Sequence, residues 1–427
     1  FVMNSDKLVK VITEGATNAD DNGEYIPTHT HNDITFTAWT DATELPETAG
    51  NYYLTNDITI SESWTVSNEI NLCLNGHNIV RNGGNCITIN NGGVLTVFDC
   101  SNTQHKFSEI ADAQDPKVGL WVLDEENGTN IVTGGCIMGI NPVAGQIDGI
   151  GVFINQGGTL NLDGGNVVGN YASNGAAGVF VGGAFTMNGG SVCGNKADSN
   201  GSGVYVSGTF TMSGGSIDHN KATTGGGVYT NNNVTIGDNA QITGNESANG
   251  GGGVHNNAGT LTLKGGTISN NTTGVSGGGV FSNAGTFNME GGTISGNQGT
   301  YSGGVLNDKN STFNMTGGTI SNNMATDNVG GVGNVGTFKM TGGTITGNKC
   351  GSNAIGGGVW HGDGTFTLGG TAEITGNTKS DDTANNLYLN GTTVTLGTST
   401  NGTDGNKVLK PADGMKVGVT TQTAPTA

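Results

Sequence analysis

The sequence predicts an all-β chain folded as a parallel β-helix, with three strands per turn and a capped N-terminal region. Three observations carry this. First, from Leu160 to Leu396 one phrase recurs roughly every 25 residues, the mark of a stacked-repeat architecture. A complete copy reads Gly277-Gly278-Gly279-Val280-Phe281, Thr286-Phe287-Asn288-Met289, Gly291-Gly292-Thr293-Ile294-Ser295-Gly296-Asn297. Second, apolar residues alternate with polar ones inside each phrase, the period of a half-buried strand, and no helical period appears. Third, with 80 Gly and 11% charged residues the chain is too poor in large apolar side chains to fold around a conventional core. Stacking identical turns assembles one long thin core from that composition.

Each strand has its own register. The first carries Phe185/Met187, Phe210/Met212, Val234/Ile236, Leu261/Leu263, Phe287/Met289, Phe313/Met315, Phe338/Met340 and Phe366/Leu368, and ends at Val394. The second carries Ile217, Ile242, Ile268, Ile294, Ile320, Ile345 and Ile374; the third carries Val204, Val228, Val254, Val280, Val305, Val332 and Val359, each behind glycines suited to tight bends. Asn170, Asn195, Asn220, Asn245, Asn271, Asn297, Asn323, Asn348 and Asn377 share one corner, where Asn tolerates left-handed backbone and stacked amides can bond along the rod. The organisation expected is an N-terminal extension (1–33), a cap with the first irregular coils (34–130), the regular repeats (131–397) and a C-terminal cap or linker (398–427). Within the cap, alternation appears at Ile58-Thr59-Ile60, Ile70-Asn71-Leu72, Ile87-Thr88-Ile89 and Leu95-Thr96-Val97; the stretch 101–130, with Trp121, is expected to leave the rod. The chain opens Phe1-Val2-Met3-Asn4 without a signal or transmembrane run, so it is expected to be a mature or excised portion of a larger protein.

The segments Phe36-Thr37-Ala38-Trp39-Thr40, Leu45-Pro46, Ala49-Gly50-Asn51-Tyr52-Tyr53-Leu54 and Asn71-Leu72-Cys73-Leu74-Asn75-Gly76-His77, followed by Gly-Gly-Thr-Ile-Ser-Gly-Asn repeats, resemble the β-helix regions of large surface or secreted proteins of anaerobic Gram-positive bacteria. The repeats are loosely similar to those of polymorphic outer-membrane adhesins. The resemblance implies a right-handed, pectin-lyase-like β-helix, an extracellular or cell-surface location and an adhesive or stalk-like role. It supplies no catalytic residues.

Composition narrows the partners. A net charge of −19 with a single arginine, Arg81, argues against nucleic acid and anionic membrane, and against a lyase that must hold an acidic polymer. Asp20-Asp21-Asn22-Gly23-Glu24 is a weak candidate for calcium, set against a solvated loop; no other cofactor is expected. A glycosidase needs two carboxylates on neighbouring turns of one face, yet the column after the core Ile reads Cys193, Asp218, Thr243, Ser269, Ser295, Ser321, Thr346 and Thr375, with one acid; Asp308, Asp363 and Glu290 fall in other columns. His219 and His361 sit near acids, but strand neighbours point to opposite faces. Cys73, Cys86, Cys100, Cys136, Cys193 and Cys350 lack the paired spacing of zinc ligands; a Cys73–Cys100 bridge and buried free thiols both stay open.

The column after the core Val differs: Phe180, Tyr205, Tyr229, His255, Phe281, Leu306, Gly333, Trp360 and, by looser alignment, Tyr388. By the period of two these face outward, forming a stripe suited to a glycan or a host or matrix surface. The alternative is that the rings lie under loops or stabilise the sheet by stacking on one another. A second outward array, Thr209/Thr211 through Thr393/Thr395 interrupted by Asn233, Asn288, Asn314 and Lys339, is similar to ice-binding faces of β-solenoids, although Thr simply suits exposed strands. The expected function is an adhesin or display module binding glycans through the side of the rod. A carbohydrate-active enzyme is the alternative and ice binding a minor one.

Overall fold

The computed structural model describes residues 29–31, 33–140, 149–399 and 408–421. The candidate calcium loop at 20–24 and the final residues 422–427 lie outside them. Among the described residues every regular element is a strand, and stacked coils form a parallel β-solenoid. Three long sheets run its length. The Phe sheet has fifteen strands, from His29–His31 to Val394–Leu396; the Ile sheet has thirteen, from Ile58–Ile60 to Lys416–Val417; the Val sheet has thirteen, from Trp64–Val66 to Val419–Thr421. One coil thus reads Thr209–Met212, Ser216–Asp218, Lys221–Thr224 and Val228–Thr230. The third of these belongs to a fourth ladder of nine short strands, from Tyr171–Ala172 to Thr378–Lys379, which the sequence does not announce. Most of its members are a residue pair, too short to carry a readable period.

Alternation determines what faces in. Val280, Phe287, Met289 and Ile294 are fully buried, as are their counterparts in neighbouring coils, and they form one continuous core from Leu45 to Leu387. In register, Phe287, Phe313, Phe338 and Phe366 stack with centroids 4.6–4.7 Å apart and planes within 5°. The spacing is the strand separation itself, so the sheet places the rings and the rings reinforce the sheet.

The Asn corner is a closed hydrogen-bond ladder. Asn195 Nδ2 donates to Asn220 Oδ1 (2.9 Å) and to the Val167 carbonyl (3.1 Å), while Asn220 Oδ1 also accepts the Asn195 backbone N–H. The same set repeats through Asn245, Asn271, Asn297, Asn323 and Asn348 to Asn377, every member with no exposure. The left-handed residue is not the ladder Asn but the one before it: Gly194 (φ 60°), His219 (52°), Gly244 (65°), Asn270 (55°), Gly296 (66°) and Asn322 (55°). This displaces the left-handed role expected of the ladder residues, whose task is the amide network alone. At the next corner the coils approach too closely for a side chain: a Cβ on Gly279 would lie 2.7 Å from Ile294 Cγ2 and 2.8 Å from the Gly304 carbonyl.

Both ends continue the stacking. Ile34–Trp39, Gly50–Leu54, Glu69–Cys73 and Val94–Phe98 are already parallel members of the Phe sheet, and His29–His31 folds back antiparallel onto Ile34–Trp39. Residues 101–134 do leave the rod, as an antiparallel sheet of Gln104–Glu109, Trp121–Leu123 and Asn130–Thr133. Its Phe107, Trp121 and Val132 pack with Cys136, Met138, Val168 and Cys193 into a small second core on the flank of the Ile sheet. At the other end Lys416–Val417 pairs with Glu373–Thr375 and Val419–Thr421 with Leu387–Leu389. Within 408–421 these strands therefore extend the Ile and Val sheets by one more member each.

Candidate functional site

The outward column of the Val sheet is in register from coil to coil: Phe180, Tyr205, Tyr229, His255, Phe281, Leu306, Gly333, Trp360 and Tyr388 pair in succession. It begins one coil earlier than expected, at Phe153, where Gly151-Val152-Phe153 already follows the motif. The rings stack on one another. Centroid steps from Phe153 through Phe180, Tyr205 and Tyr229 to His255 are 4.5, 5.5, 5.1 and 5.0 Å, with planes within 18°, and Phe281 meets His255 edge-on at 4.8 Å. Faces are thus largely turned to each other, and solvent meets the edges. Phe180, Tyr205, Phe281, Trp360 and Tyr388 are half-buried, whereas Tyr229 and His255 are buried, at 8% and 6% exposure. Backbone from the preceding corner covers these two; a Cβ on Gly225 would lie 2.9 Å from Tyr229 Cβ and one on Gly251 2.7 Å from His255 Cβ.

Burial shows in their chemistry. Desolvation pushes the His255 imidazole down to about 4 and raises the Tyr229 phenol above its ordinary value. Tyr205 Oη accepts from Asn231 Nδ2 at 2.9 Å. The Asn231 Oδ1 accepts from Asn257, whose Oδ1 accepts from Asn283, so a short amide row runs beside the column. On the Phe sheet the Thr260, Thr286, Thr312, Thr337 and Thr365 row is in register, and beside it Thr262, Asn288, Asn314, Lys339 and Thr367. Asn314 donates to Asn288 at 2.9 Å, so two interruptions of the Thr pattern bond to one another.

A concavity lies between the excursion and the Ile sheet, with a volume near 540 Å³ and a lining that includes Trp121, Asn130, Ser191, Ser216, Asp218 and His219. Here the sequence expectation for His219 and Asp218 fails. His219 Nδ1 sits 2.9 Å from Asp218 Oδ1, because the left-handed backbone at His219 turns its side chain back toward its neighbour. Ser216 donates to the other carboxylate oxygen at 2.6 Å, and Trp121 lies 5.2 Å from the imidazole. The Asp218 hydrogen bond raises the affinity of His219 for a proton, against the opposing effect of burial. His361 instead points inward and is fully buried, 3.1 Å from Asn334 Nδ2; since an amide nitrogen can only donate, His361 Nδ1 is the acceptor. Asp308 and Asp363 do not join Asp218 in the lining of this concavity.

The cysteines are all free thiols. Cys73 and Cys100, the pair considered for a bridge, have Sγ atoms 3.8 Å apart, and they are joined by two residues that spacing in the sequence does not single out: His29 Nε2 lies 3.7 Å from Cys100 Sγ and 2.9 Å from His31 Nε2. Among the described residues this is the group of metal-ligating side chains whose donor atoms converge, all within 4.8 Å. Compared with protein-family models, with curated proteins and with solved structures, the chain matches none.

Proposed function

We propose that the chain is an extracellular or cell-surface display and adhesion module that engages extended glycans along the side of the solenoid. The observation that carries this reading is the in-register ring column from Phe153 to Phe281, in which Phe153, Phe180 and Tyr205 present edges to solvent at steps of 4.5 and 5.5 Å and Phe281 presents one beyond the buried Tyr229 and His255. That step is close to the length of one sugar residue in an extended polysaccharide. Because the faces are occupied by neighbouring rings, contact is made by edges and by the amide row of Asn231, Asn257 and Asn283 beside them. One such contact is weak, and repetition along a rigid rod supplies avidity. The acidic surface favours neutral, hydroxyl-rich polymers.

The test replaces the half-buried Phe180, Tyr205 and Phe281 together by Thr, which keeps strand propensity. At about 1 kcal/mol for each ring, binding should weaken by roughly 100-fold in glycan-array and cell-adhesion assays. Circular dichroism should be unchanged. Undiminished binding by the folded variant would defeat the proposal.

A second reading, carbohydrate-active chemistry, is favoured by the concavity that holds Trp121, Asp218 and His219. A non-glycine residue in a left-handed corner that is elsewhere Gly or Asn bears a conformational cost, and such outliers gather at functional sites. In this reading Asp218 orients His219 as the proton-transfer group. Incubation with pectins, xylans and mucin glycans, comparing the parent with Asp218→Asn and His219→Gln, decides it. Turnover lost in both variants would support it, and no turnover in the parent would sink it.

A further inference from the structure

We propose that His29, His31, Cys73 and Cys100 form a Cys2His2 zinc site that fastens the terminal hairpin to the first coils of the rod. The ligands come from the edge strand His29–His31, from Glu69–Cys73 three places along the same sheet, and from the segment that follows Val94–Phe98. His29 and His31, two apart on a strand, share a face and overhang the end of the Phe sheet, where the strand pairs with Ile34–Trp39. Cys73 ends Glu69–Cys73, and Cys100 lies two residues beyond Val94–Phe98, the next strand of the same sheet.

Three of their six separations lie close to those of a tetrahedron, and all six are within 4.8 Å. With zinc bonds of about 2.3 Å to sulfur and 2.0–2.1 Å to nitrogen, tetrahedral angles place two sulfurs about 3.8 Å apart, sulfur and nitrogen about 3.6 Å, and two nitrogens about 3.3 Å. The observed values are 3.8 Å between the sulfurs, 3.7 Å from Cys100 Sγ to His29 Nε2 and 2.9 Å between the imidazole nitrogens. For these three separations the adjustment needed is only a few tenths of an ångström. The rings are also held in place: His29 stacks on Tyr53 at 4.3 Å with planes 8° apart, and His31 stacks on Phe98 at 5.0 Å and meets Phe36 edge-on at 4.9 Å.

The donor set selects the ion. Two thiolates and two imidazoles are soft and intermediate ligands, unsuited to calcium or magnesium and suited to Zn²⁺ in a closed, structural site. Binding expels the thiol protons of Cys73 and Cys100, and the two thiolates balance the charge of the ion. A Cys73–Cys100 disulfide would use only half of the group and leave the two imidazole nitrogens with only their hydrogen bond to each other. The role follows from position: among the described residues this hairpin ends the Phe sheet, and since a sheet edge offers unpaired backbone to other chains, a metal clip keeps the hairpin over that edge.

The test uses the full chain, reduced and stripped of metal. Titration with Co²⁺ should give a stoichiometric spectrum with tetrahedral ligand-field bands and thiolate-to-cobalt charge transfer, and Zn²⁺ should abolish it. Cys100→Ser, at an exposed position, and His31→Ala should each weaken cobalt binding by roughly 100-fold or more, with unchanged circular dichroism. Zinc should raise the melting temperature of the parent and not of these variants. The proposal is overturned by a folded, reduced parent that gives no such spectrum, by variants that bind as the parent does, or by peptide mapping that finds a Cys73–Cys100 disulfide in protein isolated with zinc present.

Discussion

Acid should loosen the outward aromatic column, and His255 gives the size of the effect. Its ring lies between Tyr229, 5.0 Å away and nearly parallel, and Phe281, 4.8 Å away and edge-on, with the Gly251 backbone closing the remaining side. Burial holds its affinity for protons near pH 4, with weaker opposing contributions from Gly250 and Asn257. The unfolded chain binds that proton near pH 6.5. Between these values the unfolded state carries more protons than the folded one, so stability rises with pH through the window and falls as acid is added. At pH 7 both states are neutral at this residue and it contributes nothing; by pH 4 the cost reaches about 3 kcal/mol, from 1.36 kcal/mol for each unit. Below pH 4 the curve should flatten.

His29, His31 and His361 also resist protonation through burial, while His219 does the opposite, so a single pH profile mixes several groups. The difference between the parent and His255→Phe isolates one. Phenylalanine keeps the stack and cannot titrate, so urea denaturation at half-unit intervals from pH 7.5 to pH 4 should show the parent losing about 3 kcal/mol relative to the variant. A difference that stays flat across pH 6.5 to 4 would mean that Gly250, Asn257 or water stabilises the protonated imidazole enough to cancel its desolvation, and the burial argument would fail.

Three further outcomes are expected. Phe313→Ala removes the middle of a four-ring stack whose surroundings can collapse only partly, and chemical denaturation should register a loss of about 3–5 kcal/mol. Asn271→Ala strands the Asn245 backbone N–H and part of its side-chain amide in a dry corner; at about 1–3 kcal/mol for each buried group left unpaired, the loss should be near 2–4 kcal/mol, with amide exchange accelerated first at Asn245. Gly279→Ala should cost about 1–3 kcal/mol by forcing its Cβ against Ile294 and the Gly304 carbonyl, and a neutral result in a melting experiment would show that the coils can move apart there.

The strands, their inward residues and the Asn corner are legible in sequence because a repeat displays the same environment many times. Phe287 in one coil is matched by Phe313 and Phe338 in the next two, so one-dimensional sequence becomes a two-dimensional pattern. What stays hidden occurs once. The period of a strand misplaces His219, which lies past the strand end with φ at 52°, where that period no longer applies. A clue is present, since its column elsewhere holds Gly or Asn. The His29, His31, Cys73 and Cys100 group is hidden for another reason: zinc-ligand spacing rules describe one local loop, whereas stacking brings together residues 27 apart in one case and 71 apart in another. The signal available in sequence is the His-x-His pair one strand before the first coil.

The inner and outer aromatic stacks are out of phase, and this limits how the outer one can be interrogated. The inner column loses its rings at Val234 and Leu261, on the strands that directly follow those of Tyr229 and His255. The outer column in turn falls to Leu306 and Gly333, on the strands directly before those of Phe313 and Phe338. In a solenoid each coil is held chiefly by its neighbours, so a junction with neither stack would be a seam at which the rod opens. An aromatic pair contributes about 0.5–1.5 kcal/mol beyond area burial, enough for one stack to make good the absence of the other. Tyr229 and His255 therefore belong to the stability of the rod as much as to its surface. Within the continuous run Phe153, Phe180, Tyr205 and Phe281 leave an edge to solvent. Replacing Phe180, Tyr205 and Phe281 also removes stacked pairs and should lower the melting temperature, so weaker binding is evidence for a glycan-facing edge when it is measured at a temperature where circular dichroism shows the variant still folded.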